Sequence, residues 1–292
     1  MEVGAVPSRQ SPTIRRRRLG LTLRRLRDAA GVTIEQVATV LECSDSKVSR
    51  IETGQVGVSP RDVRDMLEFY GVSGDQLDLL VQLARDAREK NWWDQEHGKV
   101  RFATLVGFQD ASSSMRTYQQ YLIPGLLQTE DYARLILRET VDPEEFKRAV
   151  RFRMARQALL FEPDAPAIIV ILDEAVFCRS MGGPEVMRGQ LDYLSEMAQR
   201  PNVTLQVLPF AAGPHPAVDG GFEIITFPDP LDPDVVYIEH ATSDIYLEDT
   251  VAVGKYISIF DRVQGKALSP EASVLFIAQG KGSLERYCLR GV

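Results

Sequence analysis

The stretch TIEQVATVLECSDSKVSRIETG, residues 33–54, decides the reading of the amino-terminal part of the chain. From Ile34 onward, Val37, Ala38 and Leu41 recur at helical spacing and form one apolar stripe. A short polar turn, Glu42-Cys43-Ser44, follows. Ser44 can cap a second helix by accepting a backbone N–H bond at its start. In that helix Val48 and Ile51 fall on the buried side, whereas Asp45, Ser46, Lys47, Ser49 and Arg50 project outward. Gly54 stands where a left-handed C-cap is needed. A second helix with an apolar back and a short polar front is what a major groove accepts. An ordinary helical hairpin in a bundle is the plainer alternative.

Working outward, Pro12 opens a helix with a buried stripe of Leu19, Leu23, Leu26 and Ala30. Its run Arg15–Arg18 places Arg16 and Arg17 among the candidate phosphate contacts, with simple solvation of a charged helix as the alternative. After Gly54, Pro60 starts a helix through Val63, Met66, Leu67 and Tyr70, with Arg61 as a further DNA-contact candidate in its first turn. Gly71 stops this helix, and another spans 75–90 with Leu77, Leu80, Val81 and Ala84 on one face. Residues 1–11 show no periodicity and are expected to be a disordered arm.

Residues 33–54 resemble the xenobiotic-response-element, Cro/repressor-like family of five-helix DNA-binding domains, and the resemblance spans about Arg15 to Arg88 with SKVSRIETG as its most specific run. It implies that Gln36 and Ser44 sit near phosphates while Asp45, Ser46, Lys47, Ser49 and Arg50 face base edges. It also implies a structural ion pair between Arg27 and Glu52. Two departures stand out. Glu42 occupies a turn position where glycine is frequent, and Asp45 replaces a neutral residue.

Charge distribution supports a DNA-facing end. The 292 residues carry a net charge of −7, which by itself argues against nucleic acid. Residues 1–51, however, hold ten Lys/Arg against five Asp/Glu, a net of +5, while residues 91–292 hold 19 against 28, a net of −9. A basic tip on an acidic body orients the molecule toward DNA. Hydrophobic residues make up 44% of the chain, enough for a core in each part.

Beyond residue 90 the pattern turns α+β. Trp92 and Trp93, adjacent in the linker, suit packing against the next domain or, less simply, stacking on a ligand. Val100–Met115 reads as one helix and Thr117–Leu122 as extended. Thr129 caps a helix after the IPGLLQ turn, and another helix carries Phe146, Val150 and Met154 on one face. The run AIIVIL at 167–172 is a buried strand. Further strands are expected at 203–209, 221–227, 235–239 and 245–247, with a helix from Pro184 between and two closing helices. The fold class is therefore multidomain: an all-α five-helix helix-turn-helix domain over 12–90, then an α+β regulatory or partner-binding domain over 91–292.

The phrases YLIPGLLQTEDYA, VILDEAVF, GGPEVMRGQLDYL, RPNVTLQVLPF, VVYIEH and YLED resemble, in order, the C-terminal domain of antitoxin-like transcriptional regulators of actinobacteria. Many of these have a small partner protein encoded nearby, so the resemblance implies a regulator without implying a chemistry. The segment FCRSM at 177–181 departs from the more Leu/Arg/Val-rich phrase usual there.

These readings lead to a transcription regulator, in the repressor sense, binding a pseudo-palindromic double-stranded operator as a homodimer. Its C-terminal domain would dimerise and bind the small protein, with Pro124 and Leu126 of IPGLLQ as contact candidates. The alternative is a small-molecule pocket between sheet and helices lined by Trp92, Tyr118 and Tyr237, with His240 in a polar network at the sheet end.

A catalytic domain is the third reading. His97, His215 and His240 lack metal-ligand spacing, Asp173-Glu174 suits a helix cap, and a Ser180–His215–Asp219 triad lacks a nucleophile-elbow frame. No catalytic residue, metal or cofactor is expected. Cys43, Cys178 and Cys288 are odd in number and read as reduced thiols. With no membrane-spanning stretch or signal region apparent, the expected place is the cytoplasm, and the nucleoid when bound to DNA.

Overall fold

Pro12 opens α1 (Pro12–Ala29), followed by α2 (Ile34–Val40), α3 (Asp45–Glu52), α4 (Pro60–Phe69), α5 (Asp75–Asp86) and α6 (Ala103–Asp110). The computed structural model describes residues 12–88, 103–179, 181–230, 232–240 and 243–288; the expected arm at 1–11 lies outside them. The chain divides into two units, Met1–Ala111 and Ser112–Val292.

In the first unit, Leu23, Val37, Val48, Val63, Met66 and Leu67 are fully buried and gather α1 to α5 around one core. Hydroxyls start α2, α3 and α4. Thr33 and Gln36 form a reciprocal capping box on α2, Ser44 accepts from Lys47 N–H, and Ser59 accepts from Asp62 N–H.

The helix ends are equally uniform. In α1 to α4, an N–H two residues past the cap returns to a carbonyl five residues back: Val32 to Arg27, Cys43 to Ala38, Gln55 to Arg50 and Val72 to Leu67, at 2.9–3.1 Å. The motif needs a left-handed residue just before that donor. Gly31, Gly54 and Gly71 supply it with φ of 68, 69 and 77°, whereas the fourth is Glu42 at φ 50°.

Two findings differ from the expectations. The helix read over Val100–Met115 ends at Asp110, and a strand begins at Ser114. Moreover α6 packs on α1 within the first unit, which therefore reaches Ala111 and not 90. Gly107 permits this packing, because a Cβ there would overlap the Thr13 side chain.

The second unit runs β1 (Ser114–Gln119), α7 (Glu130–Thr140), α8 (Phe146–Arg156), β2 (Ala167–Asp173), α9 (Ala175–Cys178), α10 (Gly183–Met197), β3 (Val203–Leu208), β4 (Phe222–Thr226), β5 (Val235–Glu239), β6 (Asp244–Leu247), α11 (Thr250–Gln264) and α12 (Pro270–Cys288). The six strands lie in the order β3-β2-β1-β4-β5-β6. β1, β2 and β3 are parallel; β4 turns antiparallel to β1, and β5 and β6 continue antiparallel. The unit is thus α+β, with a mixed sheet.

Register decides which side chains share a face. Tyr118 lies opposite Phe222, whereas Glu223 lies opposite both Thr117 and Tyr237. Tyr118, Phe222 and Val236 pack with Val253, Phe260 and Val263 of α11. Thr117, Glu223 and Tyr237 point to the other side. On α8 the buried residues are Val150, Phe152 and Arg156, in place of the Phe146–Val150–Met154 face expected from the sequence. Burial, then the neighbouring Arg153 charge, holds the Arg156 guanidinium down to about 10.

Candidate nucleic-acid interface

Burial of Val48, Ile51 and Glu52 orients α3, leaving Asp45, Ser46, Ser49 and Arg50 exposed along its outer side. Lys47 is half-buried, with its Nζ 4.0 Å from Asp62 Oδ2. The Nε of Arg50 donates to Ser46 O at 3.2 Å, so the guanidinium lies back along its own helix and must swing outward to reach a base. Ser44 is exposed, and its Oγ accepts from Lys47 N–H at 3.3 Å. Gln36 is exposed as well. Its Oε1 accepts from Thr33 N–H at 2.9 Å, which leaves the amide NH2 as the group that can donate to a phosphate.

Arg61 is exposed in the first turn of α4, where a cation does not complement the helix dipole and a phosphate would. Arg16 is half-buried, its guanidinium bonded to Pro12 O at 3.3 Å and Thr13 Oγ1 at 3.5 Å.

Arg17 corrects the sequence reading. It is only 2% exposed, with its guanidinium carbon 5.4 Å from the Phe108 ring centroid. Thr13, Ile14, Arg17 and Gly20 form a second buried stripe on α1 beside the Leu19–Leu23 one, so Arg17 cannot reach a phosphate from this position. The role of Phe108 was missed altogether. The only local signal was the helical spacing of Ile14, Arg17 and Gly20.

Behind the recognition surface, Arg27 grips Glu52 with two bonds, Nε to Oε1 at 2.6 Å and Nη2 to Oε2 at 3.0 Å. Its Nη1 also donates to Val32 O at 3.0 Å. The hydrogen bond to Glu52 raises the Arg27 pKa above its ordinary value. The pair ties α1 to the last residue of α3. A backbone contact reinforces it: Gly20 lies so close to α3 that a Cβ would overlap the Ile51 carbonyl oxygen.

The residues expected to serve the C-terminal domain scatter. Trp92, Trp93, His97 and Ser180 lie outside the described residues. Tyr118 and Tyr237 are both buried but on opposite faces of the sheet, so they do not line one pocket. Pro124 is half-buried and Leu126 is 7% exposed; Ile123 and Leu127 are also buried, so these three aliphatic side chains of IPGLLQ serve the core. Tyr237 donates to Asp244 at 3.2 Å, and His240 is exposed.

A polar network does form at the carboxyl ends of β1 and β2. Tyr118 Oη donates to Asp173 Oδ2 at 3.1 Å and lies 3.4 Å from His215 Nε2. Asp173, not Asp219, is the carboxylate beside His215, at 4.0 Å. Asp173 Oδ1 accepts from Ala175 N–H at 2.9 Å, and Glu174 Oε2 accepts from Phe210 N–H at 2.7 Å. Both carboxylates therefore organise the chain that follows the strands.

A family model described as a helix-turn-helix domain matches residues 18–80, and a second, described as a domain of unknown function (DUF5753), matches residues 102–279. No curated protein and no solved structure matches the chain. Among the described residues no helix is long and apolar enough to cross a membrane. With an exposed polar α3 standing on a buried Arg27–Glu52 brace, the first unit is the DNA-binding module of a regulator. Because the second match covers more than half of the 292 residues, the chain belongs to the DUF5753 domain family, carried behind a helix-turn-helix module.

Proposed function

We propose that the protein is a repressor that reads a pseudo-palindromic operator as a homodimer, and that its C-terminal domain dimerises and binds a small partner protein encoded nearby. The observation that carries the reading is the exposed row Asp45, Ser46, Ser49 and Arg50 on a helix capped at both ends. Gln36, Ser44 and Arg61 flank that row with donors for phosphate. One module presents few base contacts, which supports two-fold binding. The partner reading rests on the six C-terminal phrases shared with the antitoxin-like regulators, and it makes the domain a binding module without catalysis. The protein works in the cytoplasm, on the nucleoid.

The test is recovery of the tagged chain from its native cell, with bound DNA sequenced and co-purifying proteins identified. Paired half-sites together with a stoichiometric small protein support the reading; DNA without sequence enrichment overturns it.

One observation favours a small-molecule effector as a second reading. Tyr121 and Phe210, 62% and 58% exposed, follow the carboxyl ends of β1 and β3, the end of the parallel strands at which the Tyr118–Asp173–His215 network forms. Carboxyl ends of parallel strands are where open sheets hold ligands. Here operator affinity would respond to small-molecule extract from the cell, and Phe210→Ser would abolish the response. A response that survives this change counts against the site.

A further inference from the structure

We propose that α6 positions the recognition helix through Arg17, so that the DUF5753 part of the chain sets the DNA-reading surface. The inference deepens the DNA-binding reading and rests on it. Arg17 is held from two sides. Its guanidinium lies over the Phe108 ring, 5.4 Å from the centroid, in the range of a cation–π contact that strengthens on desolvation. Its backbone meets Gly54, where a Cβ would come within 2.7 Å of Arg17 Cα. Gly54 is the left-handed residue that closes α3, four positions after Arg50.

The neighbouring contacts leave no slack. Gly107 sets α6 directly on the Thr13 side chain, and Gly20 sets α1 directly on the Ile51 carbonyl oxygen. Close-packed elements without voids transmit displacement instead of absorbing it. A shift of α6 therefore moves α1, and through Arg17 and Gly20 it moves the end of α3. Sequence boundaries agree with an added device. Arg17 and Phe108 both fall outside the helix-turn-helix match at 18–80, and Phe108 falls inside the DUF5753 match at 102–279. Only residues 111–113 separate α6 from β1.

The experiment uses the full chain with Arg17→Met, Phe108→Leu and the double variant. Amide exchange without DNA reads the cap bonds of α3, Gly54 N–H to Ile51 O and Gln55 N–H to Arg50 O. Both single variants should speed exchange there about tenfold while leaving Val72, at the equivalent end of α4, unchanged. The double variant should be no worse than either single. Operator affinity should fall at least fivefold with the salt slope unaltered.

A slope reduced by about 1 in Arg17→Met would mark a phosphate contact and overturn the proposal. Unchanged exchange at residues 54–55 in Phe108→Leu overturns it too. If Val72 is also exposed, the variant is unfolding, and Arg17→Lys, which keeps a cation on the ring but loses the planar fork, takes its place with an intermediate effect expected. Should the wild-type chain bind no operator, the function reading fails, while the exchange data still decide the positioning role.

Discussion

Glu42 holds a backbone conformation that three sister positions assign to glycine. A side chain in the left-handed region costs roughly 1–2 kcal/mol, partly offset by the extra unfolded-state freedom of glycine. Glu42→Gly should therefore stabilise the first unit by about 0.5–1 kcal/mol, seen as a higher urea midpoint. A lower midpoint would show that the Glu42 side chain contributes more than its backbone costs.

The Arg27–Glu52 pair carries the opposite expectation. Arg27 is 8% and Glu52 3% exposed, so Glu52→Leu removes the buried carboxylate, leaves the cation the more exposed Asp28 carboxylate 2.8 Å from Nη1, and should cost about 3 kcal/mol. Arg27→Met combined with Glu52→Leu should recover much of that loss. A double variant as unstable as the sum of the singles would contradict the pairing.

At the scale of elements, α3 separates reading from holding. Arg50→Ala should cost about 1–3 kcal/mol in operator affinity and relax the preference at one base pair, measured by fluorescence anisotropy on operator variants. Arg16→Gln should instead weaken all DNA alike and lower the salt slope by about 1. A loss confined to one sequence would refute the phosphate role.

The same contrast explains what could be read in advance. The α3 surface was legible because its cap, turn and apolar stripe are all local in sequence. The α6 boundary was not. Leu105, Val106, Ala111 and Met115 continue an apolar pattern through Ser112-Ser113-Ser114, where no glycine or proline marks a stop. Ser114 is a strand residue because it pairs with Ala167 and Thr226, partners far along the chain. Arg17 sits in a charge run that suggests solvent, and the ring over its guanidinium, Phe108, comes ninety-one residues later. Likewise Tyr118 and Tyr237 were read into one pocket, because their opposite faces are defined by the intervening β4 register.

For the whole molecule, alkaline pH is the condition to probe. Burial raises the hydroxyl pKa of Tyr70, Tyr118, Tyr132 and Tyr237 above 10 in the folded chain. A raised acid keeps its proton when folded and loses it when unfolded. The stability it contributes is complete below pH 10 and declines above it, by about 1.4 kcal/mol per pH unit for each group. Arg153 and Arg156 act in the other direction, since their folded pKa values are lowered and the folded state sheds a proton first. Burial raises Tyr193 as well, and five tyrosines outweigh two arginines. Melting temperature should thus fall steeply above pH 10, with tyrosinate absorbance rising in the same transition. Ionisation of the buried hydroxyls, beyond what exposed tyrosines such as Tyr121 supply, while the chain stays folded would refute this balance.

The strand order also has a consequence for synthesis. β1 occupies the middle of the sheet, yet one neighbour, β4, ends at Thr226 and the covering helix α11 ends at Gln264. Everything needed for the first unit has been made by Ala111. On the ribosome the DNA-reading unit can close while β1 still waits for most of its sheet. A nascent chain stalled in that interval would already hold a finished recognition helix, while Met115 and Tyr118 of β1 still lack the β4 and α11 residues that cover them. Translation speed between residues 111 and 264 then governs how long these two side chains stay uncovered.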